Sequence, residues 1–353
     1  DLQKKTAVVQ ALSLAGKQEH QNLLAAALDR PMNLAWGDAA GALPDSTFQL
    51  TLHELNLKSW QPVLGTNLPT GKVDLQLNLQ AQRNGKQLAA KLAAQVRELA
   101  ARFGTNAVEL AELNAELDAE LTDFNLANLK QFQFELRQKN RVLAKSGGSA
   151  RYDLAKNEIN AQTDTEASLP GLLQQFAVPS VTASNGALKV QATFAQKEGR
   201  QSATGNLTLS DFTGGYAEYR YQNFQAAAEC NLEVAQGQVQ VRRAAVALRQ
   251  GNETSGNFEI SGRYHLTNQA GQVTFNISDL NQSVLGPALR SALGEMKLAS
   301  ASLSATGSAT YDPKGDSAIQ ANVSLLNWVV NDPKQPLPAA PVSAQLQVEG
   351  SLR

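Results

Sequence analysis

The feature that most narrows what this chain can fold into is a phrase stated three times along its 353 residues. From Leu55 it reads LNLKSWQPVLGTNLPTGKVDLQLNLQAQRNGKQLAAKLAAQV, and from Leu169 LPGLLQQFAVPSVTASNGALKVQATFAQKEGRQSATGNLTL. From Leu280 it reads LNQSVLGPALRSALGEMKLASASLSATGSATYDPKGDSAIQANVSL. Each copy opens with a short apolar segment of helical spacing and passes into two alternating segments joined by a turn. The starts lie 114 and 111 residues apart, and the turn glycines Gly85, Gly199 and Gly315 keep nearly the same step. A repeat of this kind predicts copies of one supersecondary unit set side by side.

Inside the copies the period is two. Val73, Leu75, Leu77 and Leu79 alternate with Asp74, Gln76 and Asn78, as a half-buried strand requires. Phe48, Leu50 and Leu52 share a face by the same spacing, with Glu54 next in line. The stretch 86–122 is rich in Ala, Leu, Glu and Lys, which favours helix by propensity. Yet from 111 to 121 every odd position is Ala or Leu, and the matching stretch after Gly199, SATGNLTLSDF, is a strand by pattern. Strand is therefore expected over 86–122 as well. Residues 1–50 read as strands and turns through TAVVQALSLAG, LLAAALDRP and MNLAWG. Phe132, Phe134 and Leu136 mark another apolar face, and strands are expected at 216–234, 237–249, 254–265 and 271–278. Glycine, Asn and Asp turns between them predict an antiparallel meander of about seven or eight strands per unit. Two amphipathic helical segments are expected to lie against it. One face carries Leu57, Trp60, Val63 and Leu64, and the other carries Leu169, Leu172, Leu173 and Phe176. The proline-rich stretch 331–341 reads as a short connector before a last strand.

Composition excludes more than it suggests. Lys+Arg 31 against Asp+Glu 32, with no charged block, is no match for the phosphate backbone of a nucleic acid. The single cysteine, Cys230, excludes an internal disulfide framework and reads as a small buried strand residue. His20, His53 and His265 are far apart and form no metal-ligand pair. No nucleophile elbow, Walker loop or dinucleotide fingerprint occurs. The acidic pairs Glu109/Glu112 and Asp118/Glu120 read as solvated surface charge. No cofactor, metal or catalytic residue is expected.

Two architectures fit the alternation: an ordinary β-sandwich or barrel, or a long antiparallel sheet curled into an open trough, apolar inside, with short helices opening each repeat. The trough is favoured, because a sandwich has no need of a helix-headed repeat. An apolar trough left to water costs roughly 25 cal/mol per Å², and acyl chains are the natural filler. Its candidate lining is Val73, Leu75, Leu77, Leu79, Leu188, Val190, Phe194, Leu207, Leu209, Phe258, Ile260, Val273, Phe275 and Ile277.

The stretches LNLKSWQPVL…GKVDLQLNL, LPGLLQQF…GALKVQATF and LNQSVLGPAL…ASLSATGSATYD, with FELRQKNRVLAKSGGSARYDL, resemble the AsmA-like proteins. These are the bacterial members of the repeating β-groove superfamily. The resemblance implies one continuous β-groove array over 1–353, in approximate units 1–54, 55–168, 169–279 and 280–353. It implies a periplasmic protein, tethered to the inner membrane in a longer parent, that carries phospholipid along the groove toward the outer membrane. Envelope proteins at either end are expected as partners. A second expectation, from the polar strand faces and edges, is a scaffold that binds outer-membrane proteins by strand addition.

Overall fold

The computed structural model describes residues 6–18, 20–35, 44–65, 69–103, 106–334 and 340–352. Among the described residues strands take 75% and helices 8%, and they form an antiparallel sheet of 18 strands that is not closed into a barrel. That is the open curled sheet expected from the alternation. The chain divides into two compact units, 1–177 with 193–198 and 178–192 with 199–353.

The first unit holds β1 (Thr6–Val9), β2 (Ser13–Gln18), β3 (Gln21–Leu28), β4 (Met32–Ala35) and β5 (Ser46–Asn56). A 3-10 turn at Leu57–Trp60 then runs into the single turn α1 (Gln61–Leu64). After it come β6 (Thr70–Gln82), β7 (Gln87–Phe103), β8 (Asn106–Thr122), β9 (Leu126–Gln138), β10 (Arg141–Asp153), β11 (Glu158–Ser168) and α2 (Leu169–Gln175). β12 (Val181–Lys197) gives residues to both units. The second unit continues with β13 (Arg200–Tyr216), β14 (Tyr219–Ala235), β15 (Gln238–Gln250), β16 (Glu253–His265) and β17 (Gly271–Asn281). Helix α3 (Gln282–Leu293) follows, then β18 (Lys297–Tyr311), β19 (Ser317–Asn331) and β20 (Val342–Leu352).

Residues 87–103 and 106–122 are strands despite their helical propensity. Each apolar residue faces another across the ladder, as in Leu88↔Leu121, Leu92↔Leu117 and Val96↔Leu113. Cross-strand packing outweighs intrinsic preference here. Between successive helices the chain makes six strands, β6–β11 and then β12–β17, rather than seven or eight. β12, β13 and β14 are 17 residues each, and the strands expected at 216–234, 237–249, 254–265 and 271–278 are β14 to β17, each end within three residues. TAVVQALSLAG is split into β1 and β2, and β1 pairs only with β4, Thr6↔Ala35 to Val9↔Met32, in a separate two-stranded ribbon. Trp36 and Gly37 of the expected MNLAWG strand, and 335–339 of the proline-rich connector, lie outside the described residues.

Bulges interrupt several strands, and two of them lie just before helices. Glu54 (φ 52) and Asp279 (φ 53) adopt the left-handed conformation two residues before Asn56 and Asn281, which cap the helices. Both capping side chains accept from a backbone N–H two residues on, Lys58 N and Ser283 N, each at 3.1 Å. The registers jump there, from Leu52↔Leu75 to Leu55↔Val73 and from Ile277↔Ala305 to Leu280↔Leu303. These are β-bulges, and each slips one polar residue out of the alternation. Glu54 consequently leaves the face of Phe48, Leu50 and Leu52, and Leu55 takes its place opposite Val73.

The displaced Glu54 enters a charged cluster on the polar side. Arg97 Nη2 donates to Glu54 Oε1 at 2.9 Å and to Asp74 Oδ2 at 2.8 Å, while Asp74 Oδ1 accepts the Glu54 amide at 3.0 Å. His53 Nδ1 lies 2.8 Å from the same oxygen. Partial burial opposes ionisation of Asp74, but the Glu54 amide, Arg97 and His53 outweigh it, so its carboxyl titrates below the ordinary 3.8. A depressed carboxylate contributes stability that is present above its unfolded value and lost as pH falls through the folded one. Asp74→Ala is therefore expected to cost about 1–2 kcal/mol at neutral pH. That deficit should shrink toward zero below pH 3.8. Urea unfolding of both proteins across pH checks it, and a pH-independent deficit would mean the cluster does not hold the bulge.

Candidate functional site

Directly paired residues of an antiparallel ladder project to the same side, so the registers assemble the strand alternation into rows. In the first unit one row runs Leu50↔Leu77↔Leu92↔Leu117↔Phe132, and the next Leu52↔Leu75↔Ala94↔Ala115↔Phe134. Phe48↔Leu79↔Ala90↔Ala119↔Leu129 lies on one flank and Leu55↔Val73↔Val96↔Leu113↔Leu136 on the other. Val73, Leu75, Leu77 and Leu79 thus stand in four parallel apolar rows.

The other side of the same strands is polar. Gln49↔Asn78↔Lys91↔Asp118↔Gln131 is one of its rows. Lys91 Nζ lies 3.5 Å from Asp118 Oδ2, and Lys130 Nζ 2.6 Å from Glu120 Oε2. The hydrogen bond from Lys130, joined by those from Gln87 and Thr122, outweighs burial and holds the Glu120 carboxyl below its ordinary value. Asp118 and Glu120 are paired surface charges. Shallow recesses on this side, one of about 470 Å³ bounded by Gln49, Asn78, Lys91 and Glu116, are clefts between neighbouring polar rows.

The second unit repeats the pattern. Leu207↔Ala228↔Val246↔Phe258↔Ile277↔Ala305↔Val323↔Leu346 forms one row. Beside it runs Gly205↔Cys230↔Ala244↔Ile260↔Phe275↔Gly307↔Ala321↔Val348. Val273 pairs with Gly262 and Ala309, and Leu209 with Ala226. Leu188 and Val190 lie half-buried on β12 in this unit. Phe194, also on β12, belongs to the first unit and borders a recess with Ala150 and Ala161. The opposite side carries Arg243 between Glu229 and Glu259, and Arg242 on Glu233.

Burial decides whether these rows form a closed core. None of the candidate lining residues is buried. Leu207 is 38% exposed and the others are half-buried. Among the described residues the buried apolar set is small and mostly alanine: Ala26, Ala81, Ala111, Ala301, Ala305 and Ala321, with Met32, Val108, Leu143 and Leu285. A sandwich would bury the large aliphatics of two facing layers almost completely. Here the large side chains shield one another along a single layer and keep a water-facing side. Cys230, expected to be buried, is half-buried in the same apolar row as Ile260 and Phe275.

The helices lie at the margins of this face. Helix α2 touches β8, β10 and β11, and its Gly171 meets Leu143 closely. Leu172, Leu173 and Phe176 are half-buried, but the buried member is Gln175, whose Nε2 donates to Gln138 Oε1 at 2.8 Å. The expected Leu57–Leu64 face is less regular, since a 3-10 turn replaces most of it and Trp60 and Val63 stay 41% and 74% exposed. Helix α3 rests on β16, β17 and β18. Tyr219 Oη donates to Gly286 O at 2.8 Å, and Tyr221 Oη to Ser283 O at 3.5 Å. Tyr221 also stacks against Phe224 and Phe212, with ring centroids 5.2 and 5.9 Å away. Burial pushes both tyrosine hydroxyls above their ordinary pKa.

Sequence reasoning missed Tyr219, Tyr221 and the bulge acids. The available signal was the recurrence of an acidic residue, Leu and Asn at 54–56 and 279–281. Among the described residues no cluster of His, Cys, Asp and Glu is suited to hold a metal ion, and no helix is long and apolar enough to cross a membrane. No protein-family model and no curated protein matches the chain.

Proposed function

We propose that the apolar face is a groove for phospholipid acyl chains, and that the chain conducts lipid along it between the inner and outer membranes of a bacterial envelope. The observation that carries this reading is that the large side chains of the apolar rows are half-buried or exposed, none of them fully buried, on a single-layer sheet. Such a face is costly in water, and its polar groups are few and paired: where the rows reach β10 and β11 they carry Ser146 and Thr165, hydrogen-bonded to each other at 2.8 Å, and Thr163. A flexible hydrocarbon chain satisfies it at any register, which suits passage better than fixed binding. The periplasmic location and a membrane tether in a longer parent follow from the resemblance to AsmA-like proteins. No reaction is assigned to the groove.

Cys230 supplies a native probe, since it is half-buried in a row of the groove. Labelling of the delipidated protein by N-ethylmaleimide is expected to slow severalfold when phosphatidylglycerol vesicles are added. A Cys230→Ser, Asn276→Cys variant, with its thiol on the exposed polar side, should label at the same rate with and without lipid. Equal protection at both positions would remove the groove from the account.

A further inference from the structure

Helix α3 is held to the second unit in an unusual way. Of its 12 residues only Leu285 and Gly286 are fully buried, while Val284, Pro287, Leu289 and Leu293 are half-buried against β16, β17 and β18. Its other side is held by a row of polar contacts to the end of the β13–β14 hairpin. Ser283, Gly286 and Arg290, spaced to share one helix face, meet Tyr221, Tyr219 and Glu218 in turn, the ion pair at 3.0 Å. The sequence is built for these contacts. Pro287 has no N–H, which leaves the Ser283 carbonyl without its helical donor, and the Tyr221 hydroxyl takes that place. Gly286 is required by closeness, since a Cβ there would stand 2.9 Å from Tyr219 Cε1.

The two sides of the helix touch strands that are not neighbours. The tyrosines belong to β14, and the other contacts are to β16, β17 and β18. Tyr221 shares its side with Phe224 and Phe212, which continue the apolar rows of Leu209 and Ala226. The helix therefore crosses the margin of the apolar face, from β14 to β16, β17 and β18. The row of Val246, Phe258 and Ile277 runs across β15, β16 and β17, and the helix touches the last two of these strands.

We propose that α3 is a displaceable strap, clasped by Tyr219, Tyr221 and Glu218 and released to admit an acyl chain to the apolar face beneath it. This rests on the groove reading for its ligand, but the movement is a property of the helix alone. Elements held by few buried apolar groups open at lower free energy than the sheet they rest on. The two hydroxyls donate to carbonyls that stay accessible when the strap lifts, so release leaves no buried group unpaired.

The test compares the whole chain with its Tyr219→Phe/Tyr221→Phe variant, which keeps both rings in place, and with Gly286→Ala, which pushes the helix off Tyr219. Amide hydrogen exchange is read on 284–293 and on the strands 238–250 and 253–265. Loading of NBD-labelled phosphatidylglycerol from vesicles is followed in parallel. Exchange of the helix is expected to be faster than that of the strands in the parent protein and to rise about tenfold in the variants, the strands being unchanged. Lipid loading should rise severalfold with it. If the helix exchanges as slowly as the strands and ignores the substitutions, α3 is a fixed part of the fold and the strap is wrong, whatever the lipid result. Looser helix without faster loading also overturns it. Exchange as expected with no loading in any protein overturns the groove reading, and with it the ligand assigned to the strap.

Discussion

Leu75→Asp is expected to abolish phospholipid retention while leaving the protein folded. Leu75 sits inside a row between Leu52 and Ala94, on the side where lipid is proposed to lie. The side chain is half-buried on a single layer, so a carboxylate there keeps much of its water. The loss of stability should then be about 1 kcal/mol, roughly half the value of fully burying a leucine. Against a bound hydrocarbon chain the same carboxylate must shed that water, at a cost of several kcal/mol. This corresponds to a fall in lipid retention of a hundredfold or more. Phospholipid recovered per protein by mass spectrometry and the urea midpoint measure the two effects separately. Gln76→Asp, one residue away on the exposed polar side, should change neither. Equal losses from both substitutions would mean that the two sides of the sheet are not functionally distinct.

A large loss of stability is expected from Gly256→Ala. Gly256 has φ +134, and a Cβ there would stand 2.4 Å from Leu280 Cδ2 and 2.8 Å from Leu280 Cα. The bulge at Asp279 places Leu280 in that position, so the glycine and the bulge depend on each other. Backbone strain and overpacking together should cost about 3 kcal/mol, read as a lower urea midpoint for the second unit. Gly205→Ala is the comparison, because the nearest atom to a Cβ there is 4.0 Å away. It should shift the midpoint by no more than about 0.5 kcal/mol. A small effect at Gly256 would show that Leu280 and its bulge can relax.

The β-rich open sheet was legible in the sequence because its side-chain period is two and its turns repeat. Gly85 and Gly199 follow the strand after each of the first two helices, and Gly315 the strand after α3, as the repeat predicted. The strands over 87–122 could be read only by comparison with the copy after Gly199, since local propensity pointed to helix. What stayed hidden depends on partners distant in sequence. Glu54 looks like one more residue of an alternating strand until Asp74 and Arg97 are brought beside it. The bulges inside β13 and β14, at Asp211 and Asn223, carry no mark in the alternation, so both residues read as ordinary strand positions. Within the candidate site, alternation alone grouped Val73 to Leu79 and Val273 to Ile277 correctly by face. Which strands stood next to one another, and so which rows existed, came only from the registers. The hydrogen bond from Tyr221 to the Ser283 carbonyl joins residues 62 apart, and no periodicity carries such a contact.

Site-specific photo-crosslinking in living bacteria tests the central claim most directly. A diazirine or benzophenone side chain replaces Leu77 or Phe275 on the apolar rows, and Gln76 or Asn276 on the polar side. Phospholipid adducts are predicted at Leu77 and Phe275 and not at Gln76 or Asn276, in both units alike. Adducts absent from all four positions, or equal on the two sides of the sheet, would contradict a lipid-filled groove.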